Sequence, residues 1–266
     1  MEDSILPIIV AITSFVVLLW ILFAMIERGY ALIFKKPLYV HFYFKLHKLP
    51  ADLKMHLRLH CKYFSKLRFR DQLYFEHRVM CFLRKYTFNS SKGALIDDEL
   101  RILIASAYVM LTFGMRRYLT NVFETILIQP DSYYSAEESQ LHNGEFNPKY
   151  KAVVFSRKAL MESFRNDSDN LNIAIHEFAH VLTYSTMKRR DVSSSIFTDQ
   201  YHKIIKEIKQ FDNAEQLKNS EYFRIYALTN QYEFVAVILE HFFETPDQFQ
   251  NEFPNLYKDV RLMINQ

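Results

Sequence analysis

Residues 170–187 read NLNIAIHEFAHVLTYSTM. Apolar and small residues surround the HEFAH core at 176–180, and the whole run has the composition of a buried helix. On a helix, positions four apart share a face, so His176 and His180 present two imidazoles to one side. Glu177 stands next to the first of them. Two histidines and a glutamate are costly to bury in so apolar a helix unless something partners them. Zinc is the partner this spacing fits: two nitrogen ligands on one face, with a carboxylate placed to hold and deprotonate a water at the open coordination position. Asp169 or Asn170 is the expected N-cap.

Such a centre needs a third protein ligand. No histidine follows HEFAH at the six-residue spacing of the metzincins. The chain offers a second apolar segment instead, NQYEFVAVILEHFF at 230–243. In it Glu233 is surrounded by Phe234, Val235, Ala236, Val237 and Ile238, and a carboxylate there wants a cation. Glu240, one heptad later on much the same face, is its rival, and His241 is a weaker one. Residue chemistry alone leaves that choice open.

Around these two segments the chain reads as an α+β protein, mostly helical with a small sheet. Residues 49–86 have helical spacing, Asp97 or Asp98 caps a helix running through Ile102 and Leu111, and Thr125–Gln129 and Tyr150–Ser156 read as strands. Ser90 to Gly93 breaks the pattern, and Asp131 to Pro148 is the most loop-like stretch. With only four glycines in 266 residues, a turn-rich β-sandwich is disfavoured. The formal net charge of +3 is too small for a nucleic-acid binder. Cys61 and Cys81 read as free thiols of a reducing compartment and not as metal ligands. His56 and His60 are also four apart, but they lie in a basic run without an adjacent glutamate and read as a solvated helix face.

From Ile5 to Ile26 no residue is charged, and about 20 such residues suffice to cross a bilayer as a helix. The acidic N-terminus (Glu2, Asp3), the length of the run and the poor cleavage site at Glu27–Tyr30 favour a retained anchor over a signal peptide. Arg28, Lys35 and Lys36 follow the span. The positive-inside rule therefore predicts a single-pass membrane protein with its C-terminal domain in the cytoplasm. The expected division is an anchor over 1–34 and a metallopeptidase domain over 35–266.

Taken with HEFAH, the pattern N-x-x-E-F-x-A-V-x-x-E-H-F-F over Asn230–Phe243 resembles the Mlc titration factor A family of bacterial zinc peptidases. Echoes in LPADLKMHL, DDELRILIAS and ILIQPDSY extend the resemblance from about Leu49 to Phe249. The membrane span is a departure, since the best-known members are soluble. The resemblance implies a gluzincin-type fold and one zinc ion per chain held by His176, His180 and Glu233. Glu177 would then be the general base, Tyr226 the residue steadying the oxyanion, and Glu240 a group supporting a ligand from behind. It implies a peptide or protein substrate lying along an edge strand, for which Lys151–Ser156 is the expected segment, with an ordinary core strand as the alternative. A different class of function also follows from the family: a regulatory protein that sequesters a transcriptional regulator, here at the membrane, with the zinc site secondary.

Overall fold

The uncharged N-terminal run forms the first part of a single helix, α1 (Ile5–Phe34). Its side chains from Leu6 to Ile26 are mostly exposed apolar groups, Trp20 among them. Among the described residues it is the one helix long and apolar enough to cross a membrane. The computed structural model describes residues 5–134, 141–166, 168–210, 215, 217, 220, 222–224, 227 and 229–266.

The chain turns out of α1 at Lys35, whose φ is +53°. It then runs as irregular backbone to α2 (Ala51–His60), α3 (Lys62–Lys66) and α4 (Phe69–Lys85). These three helices occupy the stretch whose spacing predicts helix. Asp97 is the cap of α5 (Asp98–Thr112): its carboxylate accepts the Leu100 N–H at 2.8 Å. Among the described residues the chain continues with α6 (Arg157–Arg165), α7 (Ile173–Met187), α8 (Val192–Ile208), α9 (Gln231–Glu244), α10 (Pro246–Glu252) and α11 (Pro254–Met263).

A four-stranded mixed sheet lies beside the helices. Its strands are β1 (Thr87–Ser90), β2 (Thr125–Gln129), β5 (Gly144–Asn147) and β6 (Ala152–Ser156), in the order β1-β2-β6-β5. The first three in that order are parallel, and β5 runs antiparallel to β6 with Gly144 opposite Phe155. A short antiparallel pair of β3 (Tyr133–Tyr134) and β4 (Leu141–His142) precedes β5.

Two expectations change here, and one element is new. Strand β1 lies just past the helical stretch expected over 49–86, where four residues are too few to show a period of two. The stretch 131–148 is not only loop: it carries β3, β4 and β5, whose polar residues reflect partial exposure at a sheet margin. Lys151–Ser156 is no edge strand, since β6 is paired on both sides. Alternation along a strand reports which face is buried, and says nothing about how many neighbours it has. The edge on that side of the sheet is β5.

The core behind α7 is aromatic. Phe178, inside HEFAH, packs at ring-centroid distances of 5.1 Å from Tyr108, 5.6 Å from Phe155 and 6.0 Å from Phe82. Tyr86 and Phe123 stack at 4.1 Å in the same cluster. Burial of one such ring is worth about 1.5–3 kcal/mol, so the motif helix is fixed from its rear.

Arg78 is fully buried on α4 and gathers loose ends of the chain. Its guanidinium donates to the carbonyls of Thr112, Phe113 and Met115 at 2.7, 3.0 and 2.9 Å and to the Tyr43 hydroxyl at 2.7 Å, and it lies over the Tyr118 ring. Arg78→Met would remove the donor of the Phe113 and Met115 carbonyls, while Thr112 would keep the Met115 N–H at 2.9 Å. Unfolding of the detergent-solubilised protein followed by circular dichroism should show a loss of about 2–6 kcal/mol, at about 1–3 kcal/mol for each carbonyl left unpaired. Next to it, burial pushes His41 down to about 3 and His77 down to about 4, with neighbouring cations adding to both effects. Both imidazoles are neutral when folded but titrate near the ordinary value of about 6.5 when unfolded. Below that pH the unfolded chain binds more protons, so stability is full above about 6.5 and falls towards pH 4. The melting temperature should be lower at pH 5 than at pH 7, and His77→Gln should narrow that gap.

Candidate metal centre

Helix α7 starts at Asn172, whose side-chain oxygen accepts the Ile175 N–H at 3.1 Å. The expected caps lie just outside. Asp169 accepts the Leu171 N–H instead, and Asn170 takes a left-handed conformation (φ +58°) that turns the chain into the helix. Helix α9 starts at Asn230, which accepts the N–H groups of Tyr232 and Glu233 at 2.8 and 3.0 Å. That cap places Glu233 in the first turn of α9, where the helix dipole favours a carboxylate.

Packing of α9 on α7 brings the polar faces together. The His176 Nε2 lies 3.0 Å from one oxygen of Glu233, and the His180 Nε2 lies 3.5 Å from the other. One nitrogen or oxygen from each of these residues falls within 4.8 Å of the others. Glu240 approaches from behind: its Oε1 is 2.5 Å from the His176 Nδ1, and its Oε2 is 2.5 Å from the Arg224 Nη2. The two glutamates thus occupy opposite sides of the same imidazole. His241 belongs elsewhere, its ring packed among Tyr222, Phe223 and Phe249.

The donor chemistry fits a divalent cation. Burial would push His176 down, but its hydrogen bonds to Glu233 and Glu240 raise it to about 10, so the ring holds a proton between two carboxylates. A metal ion held by this set would take the place of the Nε2 proton, and Glu240 would keep Nδ1–H oriented. Burial, helped by His176, lowers His180 to about 4, which leaves the neutral imidazole a ligand requires.

Glu177 is buried on the same helix. Burial raises its carboxyl to about 7, Glu233 and Glu145 push the same way, and His176 and the Phe146 N–H oppose them. A carboxyl that changes charge near neutrality suits proton transfer. Glu177 also touches the edge strand. A Cβ built on Gly144 would lie 2.8 Å from its Cγ and 2.9 Å from Ile173 Cγ1. The strand approaches the helix this closely because residue 144 has no side chain.

Tyr133, Glu145 and Arg224 also face the site. The Tyr133 hydroxyl is buried without a hydrogen bond among the described residues, and burial together with Glu145 and Glu177 raises it. Tyr133 ends the ILIQPDSY stretch, and Arg224 is an isolated charge within the apolar FRIYA at 223–227. Those were the available signals, but neither names a partner. Tyr226 lies outside the described residues.

Among the described residues, two other groups bring metal-ligand types together. His56, His60 and Glu99 form one on the surface, with His60 Nε2 3.3 Å from Glu99. His47, His77 and Cys81 form the other, and both cysteines are free thiols. There the His47 N–H donates to the His77 Nδ1 at 3.0 Å, which leaves the ring proton on Nε2, the nitrogen facing Cys81. Arg84 lies 3.2 Å from the His47 ring, so the surroundings already supply positive charge.

A His–His–Glu set on two packed helices, with a buried carboxyl beside it, is the donor arrangement of a metal-dependent hydrolase. The profile of the glucose-regulated metallo-peptidase M90 family matches residues 41–264, and the chain belongs to that family, as its resemblance to Mlc titration factor A proteins leads one to expect. The uncharacterized protein slr2042 of Synechocystis sp. is 24% identical over 223 residues, covering 75% of this chain and 78% of that one. The family implies a metallopeptidase acting on peptides or proteins, with a metal that is typically zinc.

Gly144→Ala should push β5 or Glu177 out of place. Its expected effect is a fall in peptide hydrolysis of about a hundredfold, the cost of an ångström-scale misplacement. Metal content, measured by atomic absorption on the same sample, should not change.

Proposed function

We propose that the chain is a membrane-anchored zinc metallopeptidase of the gluzincin type, with an anchor over 1–34 and a catalytic domain over 35–266. The observation that carries this reading is the convergence of His176 Nε2 and His180 Nε2 on the Glu233 carboxylate, with Glu177 buried alongside. His176, His180 and Glu233 would hold one zinc ion, which when bound supplies Lewis acidity and lowers the pKa of its water towards ~7.

The chain's own residues supply the rest. Glu177 takes the proton of the attacking water and returns it to the leaving amine, a role supported by its titration at about 7. Glu240, itself paired with Arg224, holds the His176 ring by Nδ1 and thereby aims Nε2. Tyr226 is assigned to the oxyanion by family resemblance, an interaction of the kind worth about 2–4 kcal/mol. Strand β5 is the edge on which an extended substrate would pair, because it lies against α7 and has β6 on only one side. Basic residues after the span (Arg28, Lys35, Lys36) favour a cytoplasmic domain.

The test is Glu177→Gln beside wild type in the full-length protein, assayed for zinc and for peptide hydrolysis. Both should hold one zinc, and the variant should lose about 10²–10⁴-fold in turnover. Equal cleavage by both would refute the mechanism. Zinc in both with no cleavage by either would favour the sequestering role instead.

A further inference from the structure

Immediately after α1 the chain doubles back along the helix. The ring of Tyr39 lies 6.5 Å from that of Phe23, inside the uncharged run that ends at Ile26. At about 1.5 Å per residue, Phe23 sits roughly 4–5 Å within that end of the run. Ring contacts then continue along the segment: Phe42 is 6.4 Å from Tyr39, and Phe44 is 5.2 Å from Phe42. These rings face outward, Phe42 being 69% and Phe44 98% exposed.

The segment is held and not trailing. Arg116 donates to the Tyr39 carbonyl at 3.1 and 3.2 Å and lies 3.7 Å over the Tyr39 ring. The same guanidinium pairs with Glu27, which is buried at the end of the apolar run of α1. One side chain therefore ties the helix, the returning segment and the body of the protein together. The residues from 28 to 51 include no acid, and Arg28, Lys35, Lys36, Lys45 and Lys48 are exposed among them.

We propose that Leu38–Phe44 is a second membrane contact, an aromatic loop seated at the headgroup–acyl boundary of the bilayer that α1 crosses, with the flanking lysines on anionic headgroups. The occupant is lipid, because Tyr39 packs on Phe23 inside the uncharged run of α1, and the exposed Phe42 and Phe44 rings continue from Tyr39. Aromatic side chains favour that boundary, and each basic residue near an anionic surface adds about 1 kcal/mol. Two points of contact fix the orientation of the peptidase domain over the bilayer. The inference rests on α1 being a retained anchor.

The chain has one tryptophan, Trp20, in the middle of α1, and this permits a depth measurement on the full-length protein. The protein would be reconstituted in phosphatidylcholine–phosphatidylglycerol vesicles containing lipids brominated either near the headgroup or deep in the chain. Wild-type Trp20 reports the anchor. The variant W20F/F44W reports the loop, and W20F/L95W is a control at an exposed site near Arg157, by the C-terminal end of β6. The expected result is Trp20 quenched by deep bromines, Trp at 44 blue-shifted and quenched by shallow ones, and Trp at 95 unaffected. An unshifted, unquenched Trp at 44 with Trp20 quenched would overturn the loop contact and leave the anchor standing. A blue shift without quenching would also overturn it, since another protein surface would then cover the loop. An unquenched Trp20 would sink anchor and loop together.

Discussion

Everything at the candidate metal centre depends on how one imidazole is held. His176 is buried between two carboxylates, Glu233 on Nε2 and Glu240 on Nδ1, and Glu240 is held in turn by Arg224. None of these groups could be buried singly without a large desolvation penalty. Together they alternate in charge, and each satisfies the next. The order also fixes direction: with Glu240 on one nitrogen, only Nε2 can face the side shared with His180 and Glu233. A divalent cation bound on that side would replace the Nε2 proton and supply the positive charge that Glu233 faces.

That arrangement needs α7 and α9 in one relative position, and the apolar faces provide it. Phe178 places the rear of α7 in an aromatic cluster with Phe82, Tyr108 and Phe155, and α9 packs alongside through its run of apolar residues. A protein interior is dense enough that neither helix can slide without opening voids. The edge strand is pinned from the other side by the absence of a side chain at Gly144, which lets backbone approach Glu177. Rigid apolar packing sets the distances at which the polar groups act.

The junction of α1 with the rest of the protein follows a similar logic with fewer residues. Arg116 joins Glu27 of α1 to Tyr39 of the returning segment, so the domain grips the end of the helix where its uncharged run stops. Pairing lets Glu27 be buried there, and the apolar helix need not end in a flexible linker. The same bonds determine which aromatic groups face outward.

Much of the site was legible in the sequence because its signals are local. HEFAH is a single helical face, the uncharged run from Ile5 to Ile26 is a count, and the Asp97 cap is a matter of spacing. The family match over residues 41–264 agrees with the echoes seen from Leu49 to Phe249. Glu233 and Glu240 were both visible as carboxylates in an apolar helix, but they share much of a face, and one-dimensional spacing cannot tell which reaches the Nε2 side of His176. Only the packing of α9 on α7 decided that. Tertiary structure alone likewise brought Arg224 to Glu240, made β5 the edge in place of β6, and set Gly144 against Glu177. The physical reason is the same in each case: side-chain periodicity records burial on one element, whereas pairing, sheet order and close approach are relations between elements far apart in the chain.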